Sequence, residues 1–389
     1  MTSATDTSAA PARKKAKFNS LEVVAITKLT DNAVEVSFRV PDNLREDYNY
    51  VPGQYVALRA TVDGEELRRS YSLCSAPAGG MISVGIKKDF GGKFSTWANE
   101  QLQPGDRIDV MNPQGAFTSK IRMTGLNDPA AVEKELRDIA NPRVVAIAAG
   151  SGITPIMAIT TTVLREVPDA HLELIYSNRG GGDVMFADKI GDLKDKYPAR
   201  FAVHHILTRE QRINPLFSGR IDDEKLRVLL DQVINVDRID EWFLCGPFEL
   251  VQLCRDTLAE RGVDASKIRY ELFTTGTPTA DQGNMGRPVK ADPKGDNIDI
   301  EFMLDGLSGQ VQSPVAAQET ILNAALRVRP DVPFACAGGV CGTCRARVVE
   351  GEYEMDENFA LEPDEVAKGY VLTCQTRPTG KSITVDYDA

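Results

Sequence analysis

Bases are in deficit in this sequence. Its 389 residues carry 45 Lys and Arg against 56 Asp and Glu, a formal net charge of −11. Non-specific binding to nucleic acid or to anionic membranes is therefore not expected, and a charged partner is expected to be basic. No secretory signal peptide is expected, and the seven cysteines (74, 245, 254, 336, 341, 344 and 374) are an odd, scattered set. That usage argues against a disulfide framework and for reduced thiols in the cytoplasm. Histidine is scarce as well, and none of the three lies near the C-terminal cysteines. No transmembrane segment is expected either. The 21 uncharged residues Val144–Leu164 could cross a bilayer by length, but Gly150, Gly152, Pro155 and three consecutive threonines from Thr160 suit a buried strand, a Gly turn and a helix. No internal repeat is visible. What remains is a globular composition, 42% apolar and 26% charged, and at ~150 residues per domain a length for two to three domains.

The charge is unevenly spread. Residues 1–17 carry +3 and read as a disordered tail, whereas residues 297–389 hold 15 acids against 7 bases. From Phe18 to about residue 125, short alternating segments such as Ala33–Phe38 are separated by Pro52-Gly53, Asp63-Gly64, Gly79-Gly80 and Pro104-Gly105, which predicts a closed antiparallel barrel. Residues 118–142 form a charged excursion with helical spacing at Val132, Leu136 and Ile139. Over 140–273, apolar runs at Val144–Ala148, Leu172–Tyr176, Phe201–Ile206 and Trp242–Cys245 alternate with helical patterns, the signature of a parallel α/β sheet. Residues 274–296 have almost no large apolar side chain and read as a linker. A third unit then opens with Ile300, Phe302 and Leu304 alternating, followed by a helix near Glu319–Leu326.

Four cysteines dominate that last unit. Cys336, Cys341 and Cys344 have the spacing C-x4-C-x2-C, and Cys374 follows after 29 residues. Thiolates at this spacing in a Gly-containing loop can wrap a [2Fe–2S] cluster, because glycine lets backbone N–H groups approach the sulfides. A zinc site or buried free thiols are the other readings, but zinc sites usually show two close Cys or Cys/His pairs.

In Arg69-Ser70-Tyr71-Ser72-Leu73, the Arg can clamp a diphosphate and the Tyr on the same strand face can lie against a planar ring. The following Ser can bond a ring nitrogen. About 20 residues later, Gly91-Gly92-Lys93-Phe94-Ser95-Thr96 supplies a Gly turn and hydroxyls opening a short helix, a phosphate-binding pattern. Further on, Gly150-Ser151-Gly152-Ile153-Thr154-Pro155 follows a predicted strand and opens a helix, so its N–H groups can meet a pyrophosphate. Tyr176-Ser177-Asn178-Arg179 ends the second strand, where Ser177 and Arg179, with Arg209, suit a ribose 2′-phosphate because no acid stands there to hold a 2′-hydroxyl. Arg179 and Arg209 also fit an ordinary charged surface.

Together with Pro52-Gly53-Gln54-Tyr55, these motifs resemble the ferredoxin–NADP reductase family, and residues 297–389 resemble a plant-type ferredoxin. The order of units over 18–389 is similar to the family's oxygenase-reductase branch. Within it, Leu216–Asp222 and the stretch Gly351–Cys374 resemble the reductase subunits of bacterial phenylacetyl-CoA epoxidases. The resemblance implies a multidomain fold, with an FAD barrel at 18–125, an NAD(P) α/β domain at 140–273 and an α+β (β-grasp) ferredoxin domain at 297–389. It implies FAD held by Arg69 and Tyr71, NADPH (with NADH as the alternative) at Gly150–Pro155, and a cluster on the four cysteines. Cys245-Gly246-Pro247 corresponds to the family's turn beside the nicotinamide, with a small buried thiol as the plainer reading of Cys245. Glu271 and Phe273 correspond to an acid and an aromatic at the flavin. The implied chemistry is hydride transfer from NADPH to FAD near Ser72, Cys245 and Glu271, then single-electron steps to the cluster. The implied partner is a di-iron oxygenase, with a steroid or aromatic-ring hydroxylase as another acceptor and a non-catalytic redox carrier as the rival class. Eight acids and no base between Glu350 and Glu365 suggest that the partner docks there; a merely solvated acidic face is the plainer reading.

Overall fold

The structure is a computed structural model that describes residues 17–89, 91–115, 117–123, 136–273, 295–304, 306–329, 332–334, 342–358, 361 and 363–389. Cys336 and Cys341, most of the expected tail and linker, and Val132 lie outside these residues.

The first unit contains β1 (Phe18–Thr30), β2 (Ala33–Arg39), β3 (Tyr55–Val62), β4 (Glu65–Ser72), β5 (Met81–Lys87), α1 (Lys93–Glu100) and β6 (Arg107–Met111). The strands pair in the order β4-β3-β6-β1-β2-β5, and a bridge between Leu73 and Val84 closes the sheet on itself. Alternation fills the barrel: Val34, Val36 and Phe38 of β2 point inward with Leu58, Ile82, Val84 and Phe94. β3 and β4 are joined by Asp63-Gly64 alone, both with positive φ (51° and 82°). That two-residue turn matches the twist of the hairpin and fixes the register of β4.

The second unit contains β7 (Arg143–Ala149), α2 (Ile153–Glu166), β8 (His171–Asn178), α3 (Ala187–Lys196), β9 (Phe201–Leu207), α4 (Asp223–Gln232), β10 (Glu241–Gly246), α5 (Phe248–Glu260) and β11 (Ile268–Leu272). All pairings are parallel, in the order β11-β10-β7-β8-β9. Strand order reverses between β7 and β10, so the crevice at their carboxyl ends is where such a sheet binds ligands. Helix starts follow local chemistry: the Asp222 carboxylate accepts from the Lys225 amide at 2.9 Å to cap α4.

The third unit contains β12 (Asn297–Leu304), β13 (Leu307–Pro314), α6 (Ile321–Leu326), β14 (Arg345–Met355), α7 (Pro363–Ala367), β15 (Tyr370–Leu372) and β16 (Thr376–Asp386). The sheet runs β13-β12-β16-β14-β15 and packs Ile300, Phe302 and Val385 against Ile321, Leu322 and Ala325 of α6.

The connection 118–142 departs from expectation. Leu136 and Ile139 are not helical: Arg137 bridges Ile121, its amide donating to the Lys120 carbonyl at 2.6 Å. Ile139 packs instead on the α/β core. Backbone pairing across the chain here takes the groups a helix would use. Lys17, assigned to the tail, is already tied down, its amide donating to Asn112 Oδ1 at 2.9 Å.

Glu241 anchors this connection from inside. It is 3% exposed and accepts from Ser119 Oγ (2.5 Å) and the Lys120 amide (2.7 Å). Burial pushes its carboxyl above the ordinary 4.5, and the two donors pull it partly back. The folded chain therefore holds this proton more tightly than the unfolded one. The resulting stability is complete below pH 4.5 and declines as pH rises through the elevated folded value. Glu241→Gln removes that slope, so the variant's Tm minus the wild-type Tm should increase from pH 4.5 toward about pH 7. A difference constant with pH would contradict this.

Candidate electron-transfer site

The three units meet at one cleft of ≈ 140 Å³. Tyr71 and Ser72 enter it from β4, Ser151 from the turn before α2, Thr154 from the first turn of α2, and Glu271, Leu272 and Phe273 from the end of β11; Phe334 reaches it from the third unit. Ser72 Oγ lies 3.5 Å from Glu271 Oε2. The parallel register sets Cys245 between Ala148 and Glu271. The Phe273 amide donates to the Gly246 carbonyl at 2.9 Å, which holds the aromatic at the cleft.

Around Tyr71 the residues of the flavin motifs separate by role. Tyr71 packs on Phe94 (centroids 5.9 Å apart), and Phe94 on Trp97 (5.5 Å). Arg69 is exposed and its Nη1 donates to the Arg68 carbonyl at 2.8 Å. Leu73 is in the barrel core with its amide given to the Gln54 carbonyl, so its side chain does not face the cleft. At α1, Gly91 has φ 73° and Gly92 is the N-cap, with Lys93 exposed beyond it and Thr96 donating its amide to the Gly92 carbonyl. The Ser95 hydroxyl is occupied within the turn, accepting from the Asp89 amide and donating to the Gly92 carbonyl.

The turn before α2 is shaped by exclusion. Gly150–Ser151–Gly152 forms a 3-10 turn before α2, Gly150 having φ 54°. A Cβ on Gly152 would stand 2.3 Å from the Cys245 carbonyl oxygen, and Gly246, at φ 154°, is pressed to 3.1 Å of Ala149 Cβ in the same sense. Thr154 Oγ1 donates to the Ser151 carbonyl at 3.0 Å, Pro155 is buried in the first turn of α2, and Pro247 is the exposed N-cap of α5. β7 and β10 thus present two glycine-lined turns at the point where strand order reverses. Ser177 is buried, whereas Arg179 and Arg209 are exposed and joined by their backbones, the Arg209 amide donating to the Arg179 carbonyl at 2.8 Å. Two cations distant in sequence therefore stand at the neighbouring ends of β8 and β9.

Electrostatics at the cleft are shaped by burial. Burial pushes the Cys245 thiol well above its ordinary value, and the neighbouring Glu271 pushes it further. Cys245 is a neutral thiol here and no nucleophile. Lys87, which also lines the cleft, is pulled below its ordinary value by burial, with Asp183 opposing and Arg179 adding. Asp89 is pushed up by burial, with Arg69 and Lys87 opposing.

At the third unit, Cys344 and Cys374 are both buried in the same core. Thr373 donates both its amide (3.1 Å) and its hydroxyl (2.9 Å) to the Cys344 carbonyl. The Tyr387 phenol donates to Thr373 Oγ1 at 3.0 Å and feels both thiols. Two of the four expected ligands, with 29 residues between them in the chain, are therefore brought to one place.

Family models agree with this arrangement. An oxidoreductase FAD-binding domain matches residues 20–119, an oxidoreductase NAD-binding domain residues 146–256, and a 2Fe-2S iron-sulfur cluster binding domain residues 305–379. The chain is 40% identical to a component of the 1,2-phenylacetyl-CoA epoxidase of Escherichia coli (strain K12), over 96% of its own length and 98% of that protein's. The chain belongs to the oxygenase-reductase branch of the ferredoxin–NADP reductase family. This reductase is also 29% identical to the ferredoxin reductase component of 3-ketosteroid-9-alpha-monooxygenase of Rhodococcus rhodochrous, over 94% of its length. In fold it is similar to phthalate dioxygenase reductase, with a TM-score of 0.53 at 19% identity, covering 95% of this chain and 98% of that one.

The residues present fit the groups these domains hold. A cradle that a Cβ on Gly152 or Gly246 would fill suits a pyrophosphate, an aromatic floor of Tyr71, backed by the buried Phe94, suits a flat ring, and an all-thiol donor set suits iron and sulfide. Sequence reasoning missed Lys87, Asp89 and Phe334, because strand β5 and the segment before the cysteines carry no motif. Gly85 was the available signal, as its Cβ would lie 2.7 Å from Thr154 Cγ2, where the barrel closes on α2. Among the described residues no helix is long and apolar enough to cross a membrane.

Proposed function

We propose that this reductase takes electrons from NADPH and delivers them through FAD and a [2Fe–2S] cluster to the di-iron oxygenase of a phenylacetyl-CoA epoxidase in the cytoplasm. The carrying observation is the convergence of Tyr71, Ser72, Glu271, Phe273 and the Gly150–Thr154 turn, with Phe334 of the third unit, on one cleft. A flavin bound there supplies the exchange between a two-electron donor and a one-electron acceptor. The chain's own residues bind and orient. Arg69 and the Gly92–Thr96 helix start hold the diphosphate, Tyr71 carries the ring, and Ser72 supplies a hydroxyl to it, with Glu271 setting that hydroxyl's direction. The Gly150–Pro155 turn and the Cys245-Gly246-Pro247 turn seat the nucleotide, Cys245 being a small neutral wall. Phe273 covers the cleft and keeps water out. Arg179 and Arg209, at neighbouring strand ends, support a 2′-phosphate and hence NADPH over NADH. Cys336, Cys341, Cys344 and Cys374 hold the cluster.

The partner docks on β14. Glu350, Glu352 and Glu354 are exposed there. The acidity is less continuous than the sequence suggests, since Asp356 pairs with Arg377, and Glu365 lies 3.4 Å from Arg345. Reconstitution with purified oxygenase components tests both parts. Phenylacetyl-CoA epoxidase components should turn over and a ketosteroid hydroxylase should not, and the reverse result would reassign the partner. Reversing Glu350, Glu352 and Glu354 to Lys should slow transfer and flatten its salt dependence; unchanged rates would remove the docking face.

A further inference from the structure

The third unit touches the barrel along one face of β4. Alternation sends Arg68, Ser70 and Ser72 to the same side of that strand. Ser72 faces Glu271. Ser70 Oγ meets Thr343 Oγ1 at 2.8 Å. The Arg68 guanidinium lies against Gly342, where a Cβ would fall 2.7 Å from Arg68 Cζ. Gly342 and Thr343 are the two residues between Cys341 and Cys344. Arg68 is held in place from behind: its guanidinium sits 4.6 Å above the Phe18 ring, and Nη2 is 3.7 Å from Met111 Sδ. Arg59 also lies over Phe18, at 4.4 Å, and pairs with Asp109 at 2.9 Å.

We propose that Arg68 is a positioning residue through which the flavin barrel both holds the cluster loop and raises the reduction potential of the cluster. An oxidised four-thiolate [2Fe–2S] cluster carries about −2, and the one electron it receives takes it to about −3 with no bond made or broken. A cation fixed beside the loop stabilises the more negative state more. A cluster poised in this way is the stronger acceptor of electrons from the flavin.

The inference rests on the assignment of Cys336, Cys341, Cys344 and Cys374 as ligands, and its test separates the two. The full-length chain, with iron and flavin content measured first, is titrated potentiometrically with the cluster followed by electron paramagnetic resonance. Arg68→Met, Arg68→Gln and Ser70→Asp should each lower the cluster potential, Arg68→Lys should restore most of it, and the flavin potential should move less. A variant with full iron and flavin and a wild-type cluster potential overturns the role of Arg68. Wild-type chain without a cluster signal overturns the ligand assignment instead. Should the Arg68 variants lose their cofactors, Ser70→Asp decides, because it adds an anion at the same junction without removing the guanidinium.

Discussion

Cys374→Ser is expected to abolish the cluster's visible absorbance and cluster-dependent transfer while leaving reduction of the flavin by NADPH intact. The reason is local. Cys374 and Cys344 are brought together by Thr373, whose amide and hydroxyl both clamp the Cys344 carbonyl, while its own carbonyl accepts from the Leu322 amide of α6 at 3.0 Å. The loop is thus braced by the helix, and only the thiol is removed. Serine keeps the size and loses the soft ligand. Loss of a ligand should exceed the 10–100-fold effects typical of outer-shell partners, so transfer to a one-electron acceptor through the cluster should drop by about 100-fold or more. Ferricyanide reduction, taken directly from the flavin, should persist. A variant that retained the cluster spectrum would contradict the ligand set.

Gly152→Ala is the second large effect expected. Its Cβ would meet the Cys245 carbonyl oxygen at 2.3 Å, the Cys245 carbonyl carbon at 2.6 Å and the Gly246 amide nitrogen at 2.9 Å. All three are backbone atoms of the neighbouring strand end, so no rotamer change relieves the contact. The two turns must move apart at the point where the nucleotide sits. Overpacking of this kind costs about 1–3 kcal/mol, and the same displacement should raise KM for NADPH by about tenfold or more, since 1.4 kcal/mol is one decade. Flavin and cluster absorbance should stay at wild-type levels. Gly150→Ala is the comparison: nothing lies within 4 Å of its Cβ, and only φ 54° opposes the side chain, a strain of about 1–2 kcal/mol. Equal KM values for Gly152→Ala and wild type would mean that this turn does not seat the nucleotide.

Much of this was legible before any coordinates, and the reasons are physical. Asp63-Gly64 announces a two-residue hairpin because few other pairs accept positive φ twice, and it delivered β3 and β4 in register. Gly152 is legible because a close backbone approach leaves no alternative residue, and Gly150 because a φ of 54° favours glycine. The cysteine spacing is legible because ligation demands it. What the sequence hid is what long-range packing decides. Ser95 reads as a phosphate hydroxyl, yet it is consumed by its own turn. Leu73 reads as part of the flavin motif, yet closure of the barrel buries it. Leu136 and Ile139 have helical spacing, yet the pairing of Arg137 with Ile121 overrides it. Phe334 and Arg68 gain their positions only from how the third unit seats against the first. A local pattern cannot carry that information.

The measurement that bears most directly on the electron path is an anaerobic titration of the full-length chain with NADPH, followed by visible absorbance and electron paramagnetic resonance. With a flavin that takes two electrons and a cluster that takes one, both should be fully reduced by about 1.5 equivalents, and NADH should require a larger excess. Flavin bleaching with no cluster signal, or no bleaching by either nucleotide, would contradict the proposed path.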